Sequence, residues 1–238
     1  MAGDDHLCPF GLQAKSLLER RGIEVTDHPL TSREEVDAFK AKHGVRTTPQ
    51  IWLDGVRVGG YEGLQDALGI DRLKAGETTY RPVIALFAMA FAMAGAIAIT
   101  ATGTLFTPHI FGWFIASAMC LLALQKLQDV EKFATMFLSY DLLARRWVPY
   151  GKIYPYAEGT AGVLMLAGVL TWLSVPIALV IGGIGAASVF KAVYLDKREL
   201  KCACVGGDSN VPLGFVSLLE NVLMVGMALW MAGKAFLV

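Results

Sequence analysis

Two cysteines one residue apart are the feature of this sequence best suited to chemistry. Cys202 and Cys204 lie in a short polar, glycine-rich stretch, residues 201–207, between two apolar runs. Such a pair can close a small-ring disulfide, or its two thiolates can hold one soft metal ion. Because packing in an apolar core does not account for cysteines in a polar loop, the pair predicts either redox chemistry or metal binding.

A third cysteine, Cys8, stands almost the whole chain away, directly before Pro9 and at the start of a helical pattern. The free N–H groups of a helix N-terminus and the helix macrodipole stabilise a thiolate at this position. Cys8 is therefore a candidate nucleophile. The fourth cysteine, Cys120, lies inside an apolar run and is predicted to fill space in a core.

The composition indicates a membrane protein that carries a soluble portion. Of the 238 residues, 55% are hydrophobic and 18% are charged, and the mean hydropathy is +0.50, which is more apolar than an ordinary soluble domain. The formal net charge is zero, so there is no basic surface for nucleic acid. The four cysteines are too few and too scattered for a secreted disulfide scaffold, and the polar, acidic N-terminus does not resemble a signal peptide.

Residues 1–75 are predicted to form a small α/β domain, followed by a polar linker at residues 76–81. Helical spacing of apolar residues predicts a first helix that Gly22 ends as a left-handed cap. Asp54-Gly55 between two apolar runs predicts a β-hairpin. The expected order is helix, strand, helix, hairpin and helix, at residues 11–21, 23–28, 32–43, 49–58 and 64–68.

Four short motifs follow one another in this domain. They are Cys8-Pro9 at a helix start, Thr47-Thr48-Pro49-Gln50 before a strand, Asp54-Gly55 at a turn and Gly59-Gly60-Tyr61-Glu62 opening the last helix. Together they resemble glutaredoxin. The resemblance implies an α/β thioredoxin-like fold that uses glutathione as cosubstrate and has no tightly bound cofactor. Only seven residues precede Cys8, and residues 3–6 carry no strand pattern, so the first strand of that fold is expected to be truncated or missing.

The same resemblance assigns roles to individual residues. It makes Cys8 the nucleophilic thiol and Pro49 the cis-proline beside it. Gly11 stands where a dithiol motif has its second cysteine, so Cys8 needs glutathione or a distant thiol to resolve its mixed disulfide. The residues implied to bind glutathione are Pro9, Thr48, Pro49, Gly60 and Tyr61.

The rest of the chain, residues 82–238, is predicted to be an all-α polytopic bundle in contact with the lipid bilayer. Each of five apolar runs approaches the ~20 residues that cross ~30 Å of hydrocarbon. Trp and Tyr cluster near the ends of the runs, as they do at membrane interfaces, and small residues suit close helix packing in lipid. The predicted spans are residues 82–102, 108–125, 156–173, 175–195 and 211–231.

Lysine and arginine set the predicted orientation of these spans. The connections after the second and the fourth span are rich in both residues, whereas the first and third connections contain neither. By the positive-inside rule, the two basic connections and the N-terminal domain are cytoplasmic in a bacterial inner membrane. Cys8, Cys202 and Cys204 then share one compartment.

Three segments of the membrane part form a recognisable set. They are residues 126–133 after the second span, Tyr154-Pro155-x-x-Glu158 entering the third, and Cys202-x-Cys204-x-Gly206 before the last. By these segments the membrane part resembles the MauE/DoxX family of redox-associated membrane proteins, over roughly residues 82–232. Members of that family are associated with disulfide formation in partner proteins, so the resemblance implies a client redox protein.

Five polar residues lie within the predicted spans or near their ends: Lys126, Asp129, Glu158, Glu220 and Asn221. Ionisable groups at membrane depth are costly and usually face a partner or a cavity. Either Lys126 or Asp129 is expected to pair with Glu158 near the cytoplasmic interface. The sequence leaves three possibilities open: a structural ion pair, a neutral, protonated glutamate, and a functional site.

Two functions from different classes fit these residues. In a membrane-bound thiol–disulfide oxidoreductase, Cys8 exchanges with the Cys202/Cys204 pair, is linked to glutathione and supports redox maturation of a partner. A quinone near the spans or a partner protein then accepts the electrons. In a carrier of mercury or copper, Cys202 and Cys204 bind the metal and Cys8 hands it over. A third alternative is an anchoring protein whose front domain only binds a client.

Overall fold

The computed structural model describes residues 2–3, 6–71, 77, 79–200, 202 and 211–237. The chain divides into two units, Met1–Ala75 and Gly76–Val238. The first unit combines helices with short strands, and the second unit is helical in its described part. The predicted combination of an α/β domain with an all-α bundle is confirmed.

The described part of the first unit contains three helices and four short strands. β1 pairs antiparallel with β2, and β3 pairs antiparallel with β4, where β1 is Ala2–Gly3, β2 is His6–Leu7, β3 is Ile51–Leu53 and β4 is Val56–Gly59. The helices are α1 (Pro9–Arg20), α2 (Arg33–His43) and α3 (Tyr61–Ala67). Ala14, Leu18 and Leu64 form the buried centre where α1 and α3 meet.

Local sequence explains where α1 and α2 begin and end. α1 starts at Pro9, which lacks a backbone N–H, but the N–H at the first helical position has no partner within the helix. Beyond the end of α1, the chain changes direction at Gly22, which has a φ of 70°. Ser32 caps α2 by accepting a hydrogen bond from the Glu35 N–H at 3.1 Å, while the Glu35 carboxylate accepts one from the Ser32 N–H. The two helices lie where the sequence predicts them.

The predicted hairpin is formed by β3 and β4. Asp54 and Gly55, between the strands, both have positive φ, at 49° and 79°. A type I′ turn requires this pair of angles, and Asp-Gly adopts it readily. The hairpin leads directly into α3 and places Gly60 and Tyr61 at the start of that helix.

One strand prediction in the first unit is wrong, and another needs revision. Residues 23–28 are described, but they form no strand. Ala2–Gly3 and His6–Leu7 do pair with each other, although residues 3–6 have no strand pattern in the sequence. A strand persists only beside a hydrogen-bonding partner. β1 and β2 have two residues each and are too short to pair along residues 23–28. The short β1 and β2 agree with a truncated first strand.

The described part of the second unit contains six helices. They are α4 (Arg81–Thr102), α5 (Ile110–Leu127), α6 (Val130–Phe137), α7 (Pro149–Ala167), α8 (Thr171–Phe190) and α9 (Phe215–Leu237). A π-helical turn, Lys191–Leu195, extends α8. α5 packs against α4, α7 and α9, and α8 packs against α7 and α9. The helices α5, α7, α8 and α9 thus form a closed ring of neighbours.

Among the described residues, four helices are long and apolar enough to cross a membrane: α4, α5, α8 with its π-helical turn, and α9. They lie at the predicted spans 82–102, 108–125, 175–195 and 211–231. α7 lies near the predicted span 156–173, but it begins at Pro149, ends at Ala167 and is not one of the four. Its first turns include the polar residues Lys152 and Glu158, which lower its hydropathy. A fifth span stays a prediction.

Glycines on α7 allow this helix to approach α5 closely. A Cβ atom on Gly162 would lie 3.0 Å from Cys120 Sγ and 3.1 Å from Met119 Cβ. A Cβ atom on Gly159 would lie 3.3 Å from Ala123 Cβ. Small residues at such positions let helix backbones approach in lipid, and Cys120 takes part in this packing.

Candidate functional site

Cys8 occupies the N-cap position of α1 and is half-buried. Its carbonyl oxygen accepts the first helical hydrogen bond, from the Leu12 N–H at 3.1 Å. The side chains of Phe10 and Leu12 beside it are exposed. A Cβ atom on Gly11 would lie 3.9 Å from Cys8 Sγ, so the missing second cysteine of a dithiol motif would have faced this sulfur.

The other residues predicted to bind glutathione lie at the turns of the first unit. Pro9 opens α1, the Thr48–Pro49 peptide bond is cis, and Gly60 and Tyr61 open α3. A Cβ atom on Gly60 would lie 3.5 Å from the carbonyl oxygen of Pro49. The structure therefore brings Gly60 next to Pro49, while their role in binding glutathione stays a prediction.

Cys202 is buried, with 2% of its surface exposed, although the sequence predicts it in a polar loop. Its N–H donates to the Val211 carbonyl at 2.8 Å, and the Leu213 N–H donates to the Leu200 carbonyl at 2.7 Å. This backbone pairing places Cys202 in the same apolar core as Val211 and Leu213. Cys204 lies outside the described residues.

The Cys202 sulfur has a polar neighbour on α9. The Ser217 hydroxyl donates a hydrogen bond to Cys202 Sγ at 3.1 Å, and both residues are buried. A donor at this distance stabilises the thiolate form of a cysteine. Ser217, Cys202 and Glu220 together line a small cavity of about 10 Å³.

Three charged side chains from three helices meet in the core of the bundle. Lys126 Nζ on α5 donates to both carboxylate oxygens of Glu158 on α7, at 2.7 and 2.6 Å, and to Glu220 Oε1 on α9 at 3.2 Å. Lys126 is 2% exposed, Glu158 0% and Glu220 8%. We call these three residues the charged cluster. It holds two carboxylates and one ammonium group.

Aromatic rings cover the ammonium end of the charged cluster. Lys126 Nζ lies 5.2 Å from the ring centroid of Tyr154 and 6.0 Å from that of Phe133. Both distances are within the range of cation–π attraction. Tyr154 stands one helical turn before Glu158, so it reaches Lys126 from the same face of α7.

Asn221 lies beside the charged cluster, and its Oδ1 atom has no hydrogen-bond partner among the described residues. Its Nδ2 atom donates to the Ser217 carbonyl at 2.7 Å. Gly185 on α8 makes room for the amide, because a Cβ atom there would lie 2.1 Å from Asn221 Oδ1. Asn221, Lys126 and Glu220 line a second cavity of about 10 Å³, enough for about one water molecule.

Of the two partners expected for Glu158, the structure pairs it with Lys126. Asp129 instead caps α6, where its carboxylate accepts from the Lys132 N–H at 3.0 Å. Sequence reasoning did not identify Tyr154 or Ser217 as parts of the site. Their spacing could have indicated them, because Tyr154 stands one helical turn before Glu158 and Ser217 one turn before Glu220. The same spacing occurs throughout ordinary helices, so by itself it does not identify a site.

The metal-binding alternative gains no support from the described residues, where no group of three His, Cys, Asp or Glu side chains is placed to hold an ion. A two-sulfur site would also need Cys204, which lies outside them. Metal binding by Cys202 and Cys204 therefore stays a prediction.

Comparison with known families now bears on both units. The glutaredoxin sequence profile matches residues 6–58, and the profile of methylamine utilisation protein MauE matches residues 104–233, more than half of the chain. The chain belongs to the MauE family. The matched region includes Lys126, Glu158, Cys202 and Glu220. The DoxX part of the resemblance stays a prediction.

The glutaredoxin match is also seen in individual relatives. The chain is 38% identical over 58 residues to a glutaredoxin of Pseudomonas aeruginosa, covering 24% of the chain and 69% of that protein. It is 34% identical over 62 residues to glutaredoxin 1 of Rickettsia felis, covering 25% of the chain and 61% of that protein. A probable glutaredoxin of Synechocystis is 32% identical over 68 residues, covering 28% of the chain and 77% of that protein. No solved structure matches the chain significantly.

A glutaredoxin domain joined to a MauE domain with apolar helices identifies a membrane-associated redox protein. Because its relatives are glutaredoxins, glutathione is the cosubstrate to test for this chain. The predicted resemblance to glutaredoxin and to MauE is thereby confirmed.

Proposed function

We propose that this protein is a membrane-bound thiol–disulfide oxidoreductase in which Cys8 exchanges with the Cys202/Cys204 pair. The observation that carries the proposal is the hydrogen bond from Ser217 to Cys202 Sγ, in a chain that also carries a glutaredoxin domain with Cys8 at a helix N-terminus. Cys8 stands at a helix N-terminus, and the Ser217 hydroxyl donates to Cys202 Sγ. The thiolate is the reactive form of a cysteine in disulfide exchange.

The burial of Cys202 assigns different roles to the two cysteines of the pair. A buried sulfur is shielded from an incoming thiolate, so Cys204 is the sulfur that Cys8 attacks. The attack forms a Cys8–Cys204 mixed disulfide and releases Cys202 as a thiolate next to the Ser217 hydroxyl. Cys202 is then the thiol that resolves the mixed disulfide when the reaction runs in reverse.

Glutathione completes the cycle because Gly11 leaves Cys8 without a neighbouring cysteine. One glutathione thiolate attacks the Cys8 sulfur of the mixed disulfide and releases Cys204. A second glutathione releases the first from Cys8 as glutathione disulfide. The net reaction reduces the Cys202–Cys204 disulfide and oxidises two glutathione molecules, with both protons ending on the pair. The reduced pair passes its electrons to a disulfide of a client protein or to a membrane quinone.

The proposed orientation follows from the basic connections after α5 and α8. By the positive-inside rule, these connections support a cytoplasmic location in a bacterial inner membrane for both the Cys202/Cys204 connection and the glutaredoxin domain. Glutathione is available in that compartment, where it keeps thiols reduced.

The test is to follow the redox state of the pair in the purified full-length chain. A thiol-alkylating mass tag counts reduced cysteines after the oxidised protein is placed in glutathione buffer. We expect Cys202 and Cys204 to be reduced in the parent chain and to stay oxidised in Cys8→Ser. Cys120→Ser is the matched control and should cycle normally. Equal reduction of the pair with and without Cys8 would overturn the proposal.

A further inference from the structure

The charged cluster does not balance its own charge. The single ammonium group of Lys126 faces the carboxyl groups of both Glu158 and Glu220, and all three residues are at least nine-tenths buried. Two ionised carboxylates would leave one negative charge without a counter-ion among the described residues of the core. An unpaired buried charge is strongly unfavourable, and binding one proton removes it. Glu158 and Glu220 both contact Lys126 Nζ, at 2.6 and 3.2 Å, so either carboxyl group can hold that proton.

The charged cluster is connected to Cys202 through α9. Ser217 and Glu220 are three residues apart, so they lie on the same face of this helix. The Ser217 hydroxyl contacts Cys202 Sγ at 3.1 Å, and Cys202, Ser217 and Glu220 line one cavity. Glu220 also lines the second cavity, with Lys126 and Asn221. It is therefore the member of the cluster that borders both sites.

Asn221 gives an independent indication that this region handles a proton or a water. It is 5% exposed, and its Oδ1 acceptor has no hydrogen-bond donor among the described residues. Gly185 keeps this position open, because a side chain there would collide with the amide oxygen. A buried acceptor of this kind normally pairs with a donor. A protonated carboxyl group, or a water carrying its proton, is such a donor.

We propose that the charged cluster is an internal proton site, in which Glu158 and Glu220 share one proton and pass it to Cys202 through the Ser217 hydroxyl. The inference rests on the proposed thiol–disulfide exchange, in which Cys202 leaves its disulfide as a thiolate. The proton moves from the carboxyl pair to that sulfur, giving a Cys202 thiol and two carboxylates. When the disulfide forms again, the Cys202 thiol returns its proton to the pair.

The electrostatics favour this direction of transfer. A thiolate released at Cys202 is a buried negative charge whose hydroxyl neighbour is Ser217. After the transfer, the negative charge lies on carboxylates that contact the Lys126 ammonium at 2.6 and 3.2 Å. An ammonium group that contacts a carboxylate directly stabilises its negative charge. Lys126 is thus a positioning residue that keeps the carboxyl pair ready to accept the charge.

Other titratable groups border the same region and contribute to any pH dependence measured there. α4 and α8 contribute only apolar residues and glycine to the described walls of the two cavities. Among the described residues, the titratable groups near the carboxyl pair come from α5, α7 and the connections after α6 and α8. They are Lys126, Cys120, Tyr150, Tyr154, Tyr140 and Cys202.

The first measurement asks whether the proton is present. The infrared spectrum of the full-length chain at neutral pH should contain a carbonyl band from a protonated carboxyl group. That band should be lost in Glu220→Gln and in Glu158→Gln, because one carboxylate then balances Lys126. Glu131→Gln is the matched control, since Glu131 is an exposed glutamate paired with Lys152, and it should keep the band. A parent spectrum without the band, or a band that persists in both cluster variants, would overturn the proposal.

The second measurement asks whether the proton is shared with Cys202. In a full-length chain with Cys8, Cys120 and Cys204 changed to serine, the alkylation rate of Cys202 is recorded against pH. Two groups sharing a proton titrate together, so we expect a two-step profile that becomes a single step in Glu220→Gln. Identical profiles in both chains would contradict the inference. This chain lacks Cys8 and cannot form the Cys202–Cys204 disulfide, so its result stands apart from that of the Cys8→Ser test. If the mass-tag test finds no Cys202–Cys204 disulfide, both proposals fail together.

Discussion

Lys126 Nζ and Glu158 Oε2 lie 2.6 Å apart, and neither side chain is appreciably exposed to solvent. The pair joins α5 to α7, and Glu220 adds α9 to the same ammonium group. Ion pairs in water contribute little, but a buried pair that loses one partner leaves an uncompensated charge. The stability of the bundle should therefore respond very differently to the loss of each partner.

Lys126→Met should strongly destabilise the bundle, because it leaves two buried carboxyl groups without their counter-ion. We expect the free energy of unfolding to fall by about 3–5 kcal/mol. Glu220→Gln keeps one positive and one negative group, so its cost should be about 1 kcal/mol, the net worth of one hydrogen bond. Denaturant unfolding in detergent measures both. Lys152→Met, in an exposed pair with Glu131, is the control; equal losses in Lys126→Met and Lys152→Met would contradict the account.

Gly185→Ala should disturb the amide of Asn221. The added Cβ atom would lie 2.1 Å from Asn221 Oδ1, so either the asparagine or α8 has to move. Overpacking of this kind costs about 1–3 kcal/mol, which thermal unfolding in detergent detects. Gly183→Ala is the matched control on the same helix, because no atom lies within 4 Å of its added Cβ. A pair of variants with the same unfolding temperature would show that Gly185 has no special role.

Gly11→Cys should convert Cys8 into half of a local dithiol. The Cβ position at Gly11 lies 3.7 Å from Cys8 Cβ, within the spacing of about 3.5–4.5 Å that a disulfide needs. On oxidation, the variant should form an internal disulfide, and a glutathione bound to Cys8 should be released faster than in the parent chain. Intact-mass spectrometry follows both species. Phe10→Cys, at the exposed neighbouring position, should show neither effect, and a Gly11→Cys chain that keeps its glutathione as long as the parent would refute the prediction.

Ser217→Ala should slow the reaction of Cys202 with a small alkylating reagent. The lost hydroxyl donates to Cys202 Sγ at 3.1 Å and stabilises its thiolate. A hydrogen bond to a charged group contributes about 1.5–3 kcal/mol, so we expect the rate at neutral pH to be lower by about tenfold or more. The rate is measured in a chain whose other cysteines are serine. Ser174→Ala removes a buried hydroxyl that has no partner among the described residues, and should leave the rate unchanged. An unchanged rate in Ser217→Ala would remove this serine from the site.

Asp141, in the connection between α6 and α7, should make stability depend on pH. Burial raises the pKa of Asp141 above its ordinary 3.8, although the Ala144 N–H, the Ser188 hydroxyl and the Leu143 N–H all donate to the carboxylate. A raised pKa means that the folded chain holds the proton more tightly than the unfolded chain. This contribution to stability is present below pH 3.8 and is lost as the pH rises through the raised pKa.

Asp141→Asn should therefore remove part of the pH dependence of unfolding in that range. The measurement is the free energy of unfolding against pH in the parent chain and in the variant. Asp196→Asn, at an exposed aspartate paired with Lys191, serves as the control. A parent chain and Asp141→Asn with parallel pH profiles would contradict the assignment.

The sequence predicts the architecture of this protein well because its signals are local. Asp54-Gly55 specifies a hairpin by itself, Ser32 and Glu35 specify a helix start, and long apolar runs specify the bundle helices. The strand over residues 23–28 is predicted wrongly because its formation depends on a partner strand elsewhere. The start of α7 is missed because its first turns carry polar residues and prolines, which break the apolar pattern.

The candidate site is predictable only in part, for the same reason. Glu158 and Glu220 are conspicuous in apolar runs, so the sequence identifies them as special. That both contact Lys126 is a tertiary fact, since Lys126 is 32 residues from one and 94 from the other. The burial of Cys202 depends on its backbone pairing with Val211 across residues that look like an ordinary polar loop.

The central claim is that Cys8 exchanges with the Cys202/Cys204 pair by attacking Cys204. The most direct test is peptide mapping, under non-reducing conditions, of mildly oxidised full-length chains. The account predicts a Cys8–Cys204 disulfide that accumulates in Cys202→Ser, which lacks the resolving thiol. It predicts no matching Cys8–Cys202 disulfide in Cys204→Ser, because Cys202 is buried. Absence of the Cys8–Cys204 peptide, or equal trapping in the two variants, would contradict it.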